Sequence, residues 1–149
     1  GYHSDLARTL YVPREGETRP PDDALRAFAS AKQAIEAAFA AMRPGVKGFE
    51  VDRAAREVHL ANGYPEISHA TGHQIGRHVH DGGTILGPRW ERYGDAPYGE
   101  LEEGNVFTIE PTILMSPQPS MLVEENVVVT ATGAEWLSRR QTELWLAGR

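Results

Sequence analysis

Apolar residues recur at steps of three and four between Asp23 and Met42, and alanines fill most of the positions between them. This period places the large side chains on one face of a helix, so we predict a helix over 23–42 whose apolar stripe packs in the core. Asp22 or Asp23, after two prolines, is placed to cap the helix, and the sequence RPG at 43–45 ends it. The stripe consists of Leu25, Phe28, Ile35, Phe39 and Met42.

A second, shorter amphipathic pattern runs from residue 47 to residue 63 and predicts another helix. Gly63 is suited to end it, because glycine readily adopts the left-handed conformation that often follows the last helical turn. We expect His59 to lie on the surface of this helix. The positions expected to face inward are Val51, Ala54, Ala55 and Val58.

Three stretches rich in β-branched and aromatic residues predict strands. They are GYHSDLARTLYVP, which Pro13 ends, NVFTIEP and SMLVEENVVVTATG. The four glycines between residues 72 and 83 exclude a helix there and leave irregular or strand structure. A strand, two helices and then several strands indicate the α+β class, with Leu144 and Trp145 of the tail packed back onto the body.

Composition narrows the range of functions for a chain of 149 residues, which is long enough for one domain with its own core. The net charge of −6 offers no basic surface for nucleic acid, and no apolar run reaches the roughly 20 residues of a membrane span. Cysteine is absent, which rules out disulfides and thiolate metal ligands and fits a reducing compartment. We therefore expect a cytoplasmic protein that binds neither nucleic acid nor membrane.

Four residues stand out as candidates for chemistry because of where they lie. Asp5 falls on the first predicted strand, His73 lies among the glycines, and Glu110 and Glu124 each interrupt an apolar strand. A glutamate in a strand is, taken alone, more often a residue that faces solvent. Buried carboxylates, by contrast, are costly unless they are paired or bind a metal. Together the four form the oxygen-rich ligand set, with one imidazole, of hard or borderline divalent ions.

Three motifs in order, SHATGHQIGRHVHDGG, LEEGNVFTIEP and VEENVVVTATGAEWLS, resemble the pita-bread metallopeptidases. That family includes the methionine aminopeptidases, the Xaa-Pro aminopeptidases and prolidase. The segments GYHSDLARTL and PGVKGFEVDRAAREV are similar to the family as well, and His69, four residues before His73, favours the Xaa-Pro branch. The resemblance implies a curved antiparallel sheet with helices on its outer face.

The resemblance also implies a role for each candidate residue. Asp5, His73, Glu110 and Glu124 would be ligands of a two-metal centre that holds manganese, cobalt or zinc. Glu110 would also accept a proton from the metal-activated water, while His80 and His69 would contact the substrate and the tetrahedral intermediate. The implied function is hydrolysis of the N-terminal, Xaa-Pro type peptide bond of a peptide substrate by a homodimer.

The sequence departs from the family pattern in three places. The family's first aspartate ligand would fall before Gly1, so we expect residues 1–149 to be the C-terminal portion of one pita-bread catalytic domain, inactive alone if truncated. Leu122 stands where prolidase-like members carry an arginine that holds the carboxyl end of the substrate, which weakens the strict dipeptidase interpretation. Arg89 and Arg92 could compensate, although arginines in loops are more often solvated. Thr112 replaces the glycine of the usual EPG.

Two other functions remain open from the sequence. One is a pita-bread domain without catalysis that binds a peptide or a partner protein. Such relatives usually lose metal ligands, whereas this chain keeps every ligand within its reach. The other is a metal-free relative similar to amidinohydrolases, which would keep His80 but would not need Glu110 and Glu124.

Overall fold

The computed structural model describes residues 1–114 and 120–148, and over these residues the chain forms two α-helices and seven short strands. Two single turns of 3-10 helix, at Glu91–Tyr93 and Ala96–Tyr98, lie in the long loop before the central strands. The elements in chain order are β1 (Leu10–Tyr11), α1 (Asp22–Ala41), α2 (Gly48–Ala61), β2 (Gly72–His73), β3 (Ile85–Leu86), β4 (Val106–Ile109), β5 (Glu125–Thr130), β6 (Gly133–Trp136) and β7 (Trp145–Leu146). The α+β class is confirmed.

Helix α1 begins and ends within one residue of its predicted bounds. Its buried face contains many alanines, whose small side chains let α2 pack close against it. The predicted cap is wrong, because Pro21 occupies the N-cap position and Asp22 and Asp23 lie in the first turn instead. There their charges face the positive end of the helix dipole.

Helix α2 confirms the predicted range, and Gly63 follows its end with a φ of 78°. The prediction that His59 lies on the surface is wrong, since its side chain is 0% exposed. It falls one and two turns after the buried Ala55 and Val51, on the stripe that faces the core. Its Nδ1 lies 2.9 Å from the hydroxyl of Ser30 on α1, and this partner reduces the cost of burying an imidazole.

The largest sheet is the antiparallel set β4-β5-β6, in which Phe107 lies opposite Val127 and Val128 opposite Glu135. Strand β6 packs on α1, where the rings of Phe39 and Trp136 stack 4.0 Å apart. Strands β2 and β3 form an antiparallel pair, and β1 pairs with β7 in parallel. The buried core lies between the helices and the central sheet.

The strands are shorter than the sequence predicts, which moves three candidate residues off them. Asp5 lies in the extended segment before β1, Glu110 directly after β4, and Glu124 directly before β5. In the tail, Leu144 packs against the core as predicted. Trp145 does not, because its side chain is 44% exposed while only its backbone pairs, with Leu10.

In the two ranges that the structure describes, neither helix combines the length and the apolar character needed to cross a membrane.

Candidate metal centre

The register of the central sheet brings two glutamates together. Ile109 pairs with Glu125 at the end of the antiparallel ladder, so Glu110 and Glu124, one residue beyond each, leave the sheet at the same edge. The N-terminal segment lies alongside, where the backbone N–H of Glu124 donates to the carbonyl of Ala7 at 3.1 Å.

Asn126 holds Asp5 at this edge by its backbone. The Asn126 amide Nδ2 donates to the Asp5 carbonyl at 2.5 Å, and the Asp5 backbone N–H donates to Asn126 Oδ1 at 3.3 Å. These two bonds fix the main chain on both sides of the Asp5 side chain and so help to direct its carboxylate.

His73 enters the same space from β2. Its backbone N–H donates to the Thr108 hydroxyl at 3.0 Å, and its Nδ1 lies 3.1 Å from the carbonyl of Gln74. If Nδ1–H donates to that carbonyl, the lone pair of Nε2 is free for a ligand. Gly72 is required beside it, because a Cβ there would lie 2.0 Å from the Thr108 carbonyl oxygen.

The four residues predicted as ligands are therefore brought together. Ligand atoms of Asp5, His73 and Glu124 all lie within 4.8 Å of one another. The Nε2 atom of His73 lies 3.5 Å from Oε1 of Glu110 and 3.8 Å from Oδ2 of Asp5. Two carboxylates and one imidazole thus face a common centre, and the Glu110 carboxylate lies beside it, next to His73.

The electrostatics of this cluster favour a bound cation. Burial, with added repulsion from Asp5, raises the pKa of Glu110 to about 7. Burial, with repulsion from Glu110 and Asp5, raises the pKa of Glu124 to about 8. Burial also lowers the pKa of His73, so the imidazole is held neutral. The two glutamate shifts show that these carboxyl groups, when charged, lack a sufficient counter-charge, which a divalent ion would supply.

An orphaned oxygen gives a second, independent sign that these residues fit a cation. Oε1 of Glu124 is buried and has no hydrogen-bond partner among residues 1–114 and 120–148. Such atoms are rare in folded proteins, and an ion bound at the oxygen is one of the few explanations for them. The donor set is oxygen-rich with one imidazole, which fits manganese, cobalt or zinc.

The two histidines predicted to contact substrate are placed differently. The ring of His80 lies 4.1 Å from that of His73, and its side chain is exposed, at the mouth of the cluster. The His69 ring is half-buried, with Nδ1 2.6 Å from the Ala70 carbonyl. No hydrogen bond or ion pair joins it to the cluster within the described part of the chain. Both roles stay predictions.

The sequence did not reveal Thr108 and Asn126 as parts of the site. The Thr108 hydroxyl accepts from His73 and lies 3.4 Å from Oε1 of Glu110. Each of the two lies two residues from a glutamate that is predicted as a ligand. A spacing of two puts side chains on the same side of a strand, and that was the available signal.

The sequence profile of metallopeptidase family M24 matches residues 1–131. The chain belongs to metallopeptidase family M24. The Xaa-Pro dipeptidase of Pyrococcus furiosus is 33% identical over 146 residues, which cover 96% of this chain and 38% of that relative. This membership confirms the predicted family and makes divalent metal ions its expected cofactors.

Solved structures of other M24 proteins confirm the predicted pita-bread fold. Dipeptidase PepE from Mycobacterium ulcerans superposes with a TM-score of 0.84 at 33% identity, covering 98% of this chain and 36% of that protein. The X-Pro aminopeptidase from Thermotoga maritima MSB8 superposes with a TM-score of 0.84 at 28% identity, covering 98% of this chain and 38% of that protein. The chain spans a little over a third of the length of these relatives. That it is the C-terminal portion of one catalytic domain stays a prediction.

Proposed function

We propose that this M24 chain supplies metal ligands and the proton acceptor for hydrolysis of Xaa-Pro type peptide bonds at the N-terminus of a peptide. The observation that carries the proposal is Oε1 of Glu124, which is buried without a hydrogen-bond partner in residues 1–114 and 120–148 and lies in a cluster with Asp5 and His73. Glu110 lies beside this cluster, 3.5 Å from His73 Nε2. Without a cation these carboxylates repel one another, so the cluster costs the fold stability.

Asp5, His73, Glu110 and Glu124 would hold the metal, in the two-ion arrangement that the family resemblance implies. When bound, divalent ions lower the pKa of water and polarise the carbonyl group of the scissile bond. The contact between His73 Nδ1 and the Gln74 carbonyl orients Nε2 toward the carboxylates.

Glu110 would accept the proton of the attacking water and pass it to the leaving nitrogen. Its carboxyl is half-buried, with Oε1 3.4 Å from the Thr108 hydroxyl and 3.5 Å from Nε2 of His73. His80, exposed at the mouth, would donate a hydrogen bond to the oxyanion that forms, and His69 would contact the substrate. Gly72 and Gly76 do not leave room for a peptide, because the place of a Cβ is taken by the Thr108 carbonyl at Gly72 and by the Asp81 carboxylate at Gly76.

The substrate range follows from Leu122. Its apolar side chain is partly exposed two residues before Glu124, and it offers no guanidinium for a substrate carboxylate. We therefore propose that peptides longer than two residues are better substrates than dipeptides. We further propose that the protein forms a homodimer, which rests on the family resemblance. We propose a cytoplasmic location because cysteine is absent from the sequence.

Hydrolysis of Xaa-Pro peptides by the manganese-loaded protein tests the proposal. Glu110→Gln is expected to lower kcat by about a hundredfold or more while the melting temperature stays close to that of the wild type. Glu103→Gln, at an exposed position, is the matched control and should keep full activity. Full turnover by Glu110→Gln would refute the role of Glu110. Peptide binding that is undiminished in the metal-stripped wild type would favour the alternative, a domain that binds peptide or a partner protein without catalysis.

A further inference from the structure

Helix α2 carries an ion pair that is buried beside the site and takes no part in it directly. The carboxylate of Asp52 is 2% exposed and the guanidinium of Arg56 8%. They meet side by side, with Arg56 Nε donating to Oδ2 at 3.0 Å and a terminal nitrogen donating to Oδ1 at 2.8 Å. A buried ion pair adds little to stability by itself, because desolvation offsets the attraction. Its role is therefore to be sought in its other contacts.

Within the described residues, every other hydrogen bond of the Asp52 and Arg56 side chains goes to residues 67–71. This segment leads from α2 into β2. Arg56 donates to the carbonyl of Ile67, and to that of His69 at 2.9 Å. Oδ1 of Asp52 accepts from the Thr71 hydroxyl at 2.8 Å and from the Thr71 backbone N–H at 3.2 Å. The pair thus binds both donors and acceptors of a segment without regular structure.

Thr71 connects this pair to the metal ligands. It is fully buried, and its carbonyl accepts from the backbone N–H of Glu110 at 2.7 Å. Two residues later the same chain presents His73, through the tight approach of Gly72 to Thr108. A shift of Thr71 would therefore move the backbone of Glu110 directly, through their hydrogen bond, and the backbone of His73 along the chain through Gly72.

We propose that Asp52 and Arg56 are positioning residues of the metal centre, acting through Thr71 on Glu110 and His73 and through the His69 carbonyl on the turn that carries His69. The proposal rests on the proposed function, because it assumes that these ligands bind metal. Arginine is required at position 56, since its planar fork serves Asp52 and two carbonyls at once, which the single ammonium of lysine cannot do. Ligand geometry tolerates only about half an ångström of error, so the segment must be held from behind.

The test compares Arg56→Lys, Thr71→Val and Thr71→Ser with Arg53→Lys. Thr71→Val removes the hydroxyl at nearly constant volume, and Thr71→Ser restores it. Arg53 lies on the same helix in an exposed pair with Glu57 at 4.0 Å, which makes it the matched control. Calorimetric titration gives the Mn²⁺ affinity, and hydrogen exchange gives the protection of the Glu110 amide relative to amides of α1.

Arg56→Lys and Thr71→Val are expected to weaken Mn²⁺ binding about tenfold or more, the usual effect of removing a group that orients a ligand. Thr71→Ser and Arg53→Lys should bind as the wild type does. In Arg56→Lys and Thr71→Val the Glu110 amide should lose protection from hydrogen exchange relative to the amides of α1. General destabilisation would not produce this difference, because it would lower the protection of Glu110 and of α1 together.

Unchanged Mn²⁺ affinity and unchanged relative protection in Thr71→Val and Arg56→Lys would overturn the proposal. If Arg56→Lys does not fold, the comparison of Mn²⁺ affinity between Thr71→Val and Thr71→Ser decides whether the proposal holds. If the wild type itself binds no Mn²⁺, the proposed metal centre fails, and relative exchange at Glu110 alone decides whether the pair positions this segment.

Discussion

Glu124 and Glu125 are consecutive buried glutamates whose carboxylates have opposite surroundings. Glu125 accepts from Arg8 at 2.9 Å, from Ser138 at 2.6 Å and from the backbone of Gln141 at 2.9 Å. Glu124 has one buried oxygen without a partner in the described ranges and carboxylates for neighbours. The Glu125 carboxylate therefore stabilises the fold as it stands, whereas we expect the Glu124 carboxylate to need a cation.

Glu124→Gln should therefore stabilise the metal-free protein at alkaline pH. The pKa of Glu124 is about 8 in the folded state, against 4.5 for an ordinary glutamate, so between these values only the folded state holds the proton and stability falls as pH rises. Removing this group should raise the free energy of unfolding at pH 8 in chelator by roughly 1–2 kcal/mol, measured by denaturant titration. The variant should also lose stabilisation by Mn²⁺.

Glu125→Gln is the control for that experiment and should destabilise the protein with or without metal, because it breaks the pair with Arg8. A Glu124→Gln protein less stable than the wild type in chelator at pH 8 would contradict the account of this carboxylate.

His59 predicts a pH dependence of the opposite sign. Burial lowers its pKa from 6.5 to about 4, so between these values only the unfolded chain binds the proton. The free energy of unfolding therefore has its full value above pH 6.5 as far as His59 is concerned. It falls by roughly 2–3 kcal/mol in all as the pH drops toward 4. Unfolding free energies of wild type and His59→Asn, measured from pH 7 to 4.5, should show a flatter profile for the variant. Parallel profiles would show that His59 does not titrate as described.

The elements differ in how far the sequence determines them. Both helices follow from a period of three to four residues within one segment, and their bounds were predicted almost to the residue. Strand β1 was predicted too long because its length depends on β7, more than a hundred residues away, where Leu10 pairs with Trp145. Burial of His59 likewise depends on Ser30 of the other helix.

The candidate site shows the same division. The residue types and motifs indicated all four candidate ligands, but their meeting depends on the register of β4 and β5 and on Asn126, 121 positions from Asp5. Thr108 and Thr71 act through contacts with distant backbone that no local pattern encodes.

Gly72→Ala tests the close approach of β2 to β4. The added methyl carbon would lie 2.0 Å from the Thr108 carbonyl oxygen, so the strands must separate, at a cost of about 1–3 kcal/mol or more, together with weaker metal binding. Gly133→Ala is the matched control in β6, where the nearest atom is 3.9 Å away, and should be nearly neutral. Thermal unfolding and Mn²⁺ titration of both variants give the comparison; equal stability of the two would exclude the tight approach.

At the scale of the whole molecule, the proposed metal centre would join parts of the chain that are far apart in sequence. Asp5 comes from the N-terminal segment, His73 from β2, and Glu110 and Glu124 from the ends of β4 and β5. A ligand that binds only the folded state stabilises it by mass action, by about 2.7 kcal/mol at a hundred times its dissociation constant. Mn²⁺ should accordingly raise the melting temperature of the wild type, and chelator should reverse the effect.

The most direct test of the metal centre is the number of Mn²⁺ ions per chain, measured by equilibrium dialysis and elemental analysis. The wild type is expected to bind one ion or two at its four ligands, and a protein carrying both His73→Ala and Glu124→Gln to bind none. Close to two would mean a complete dinuclear site. Close to zero for the wild type after incubation with Mn²⁺ would contradict the account, and the proposal of peptidase activity for this chain would be withdrawn.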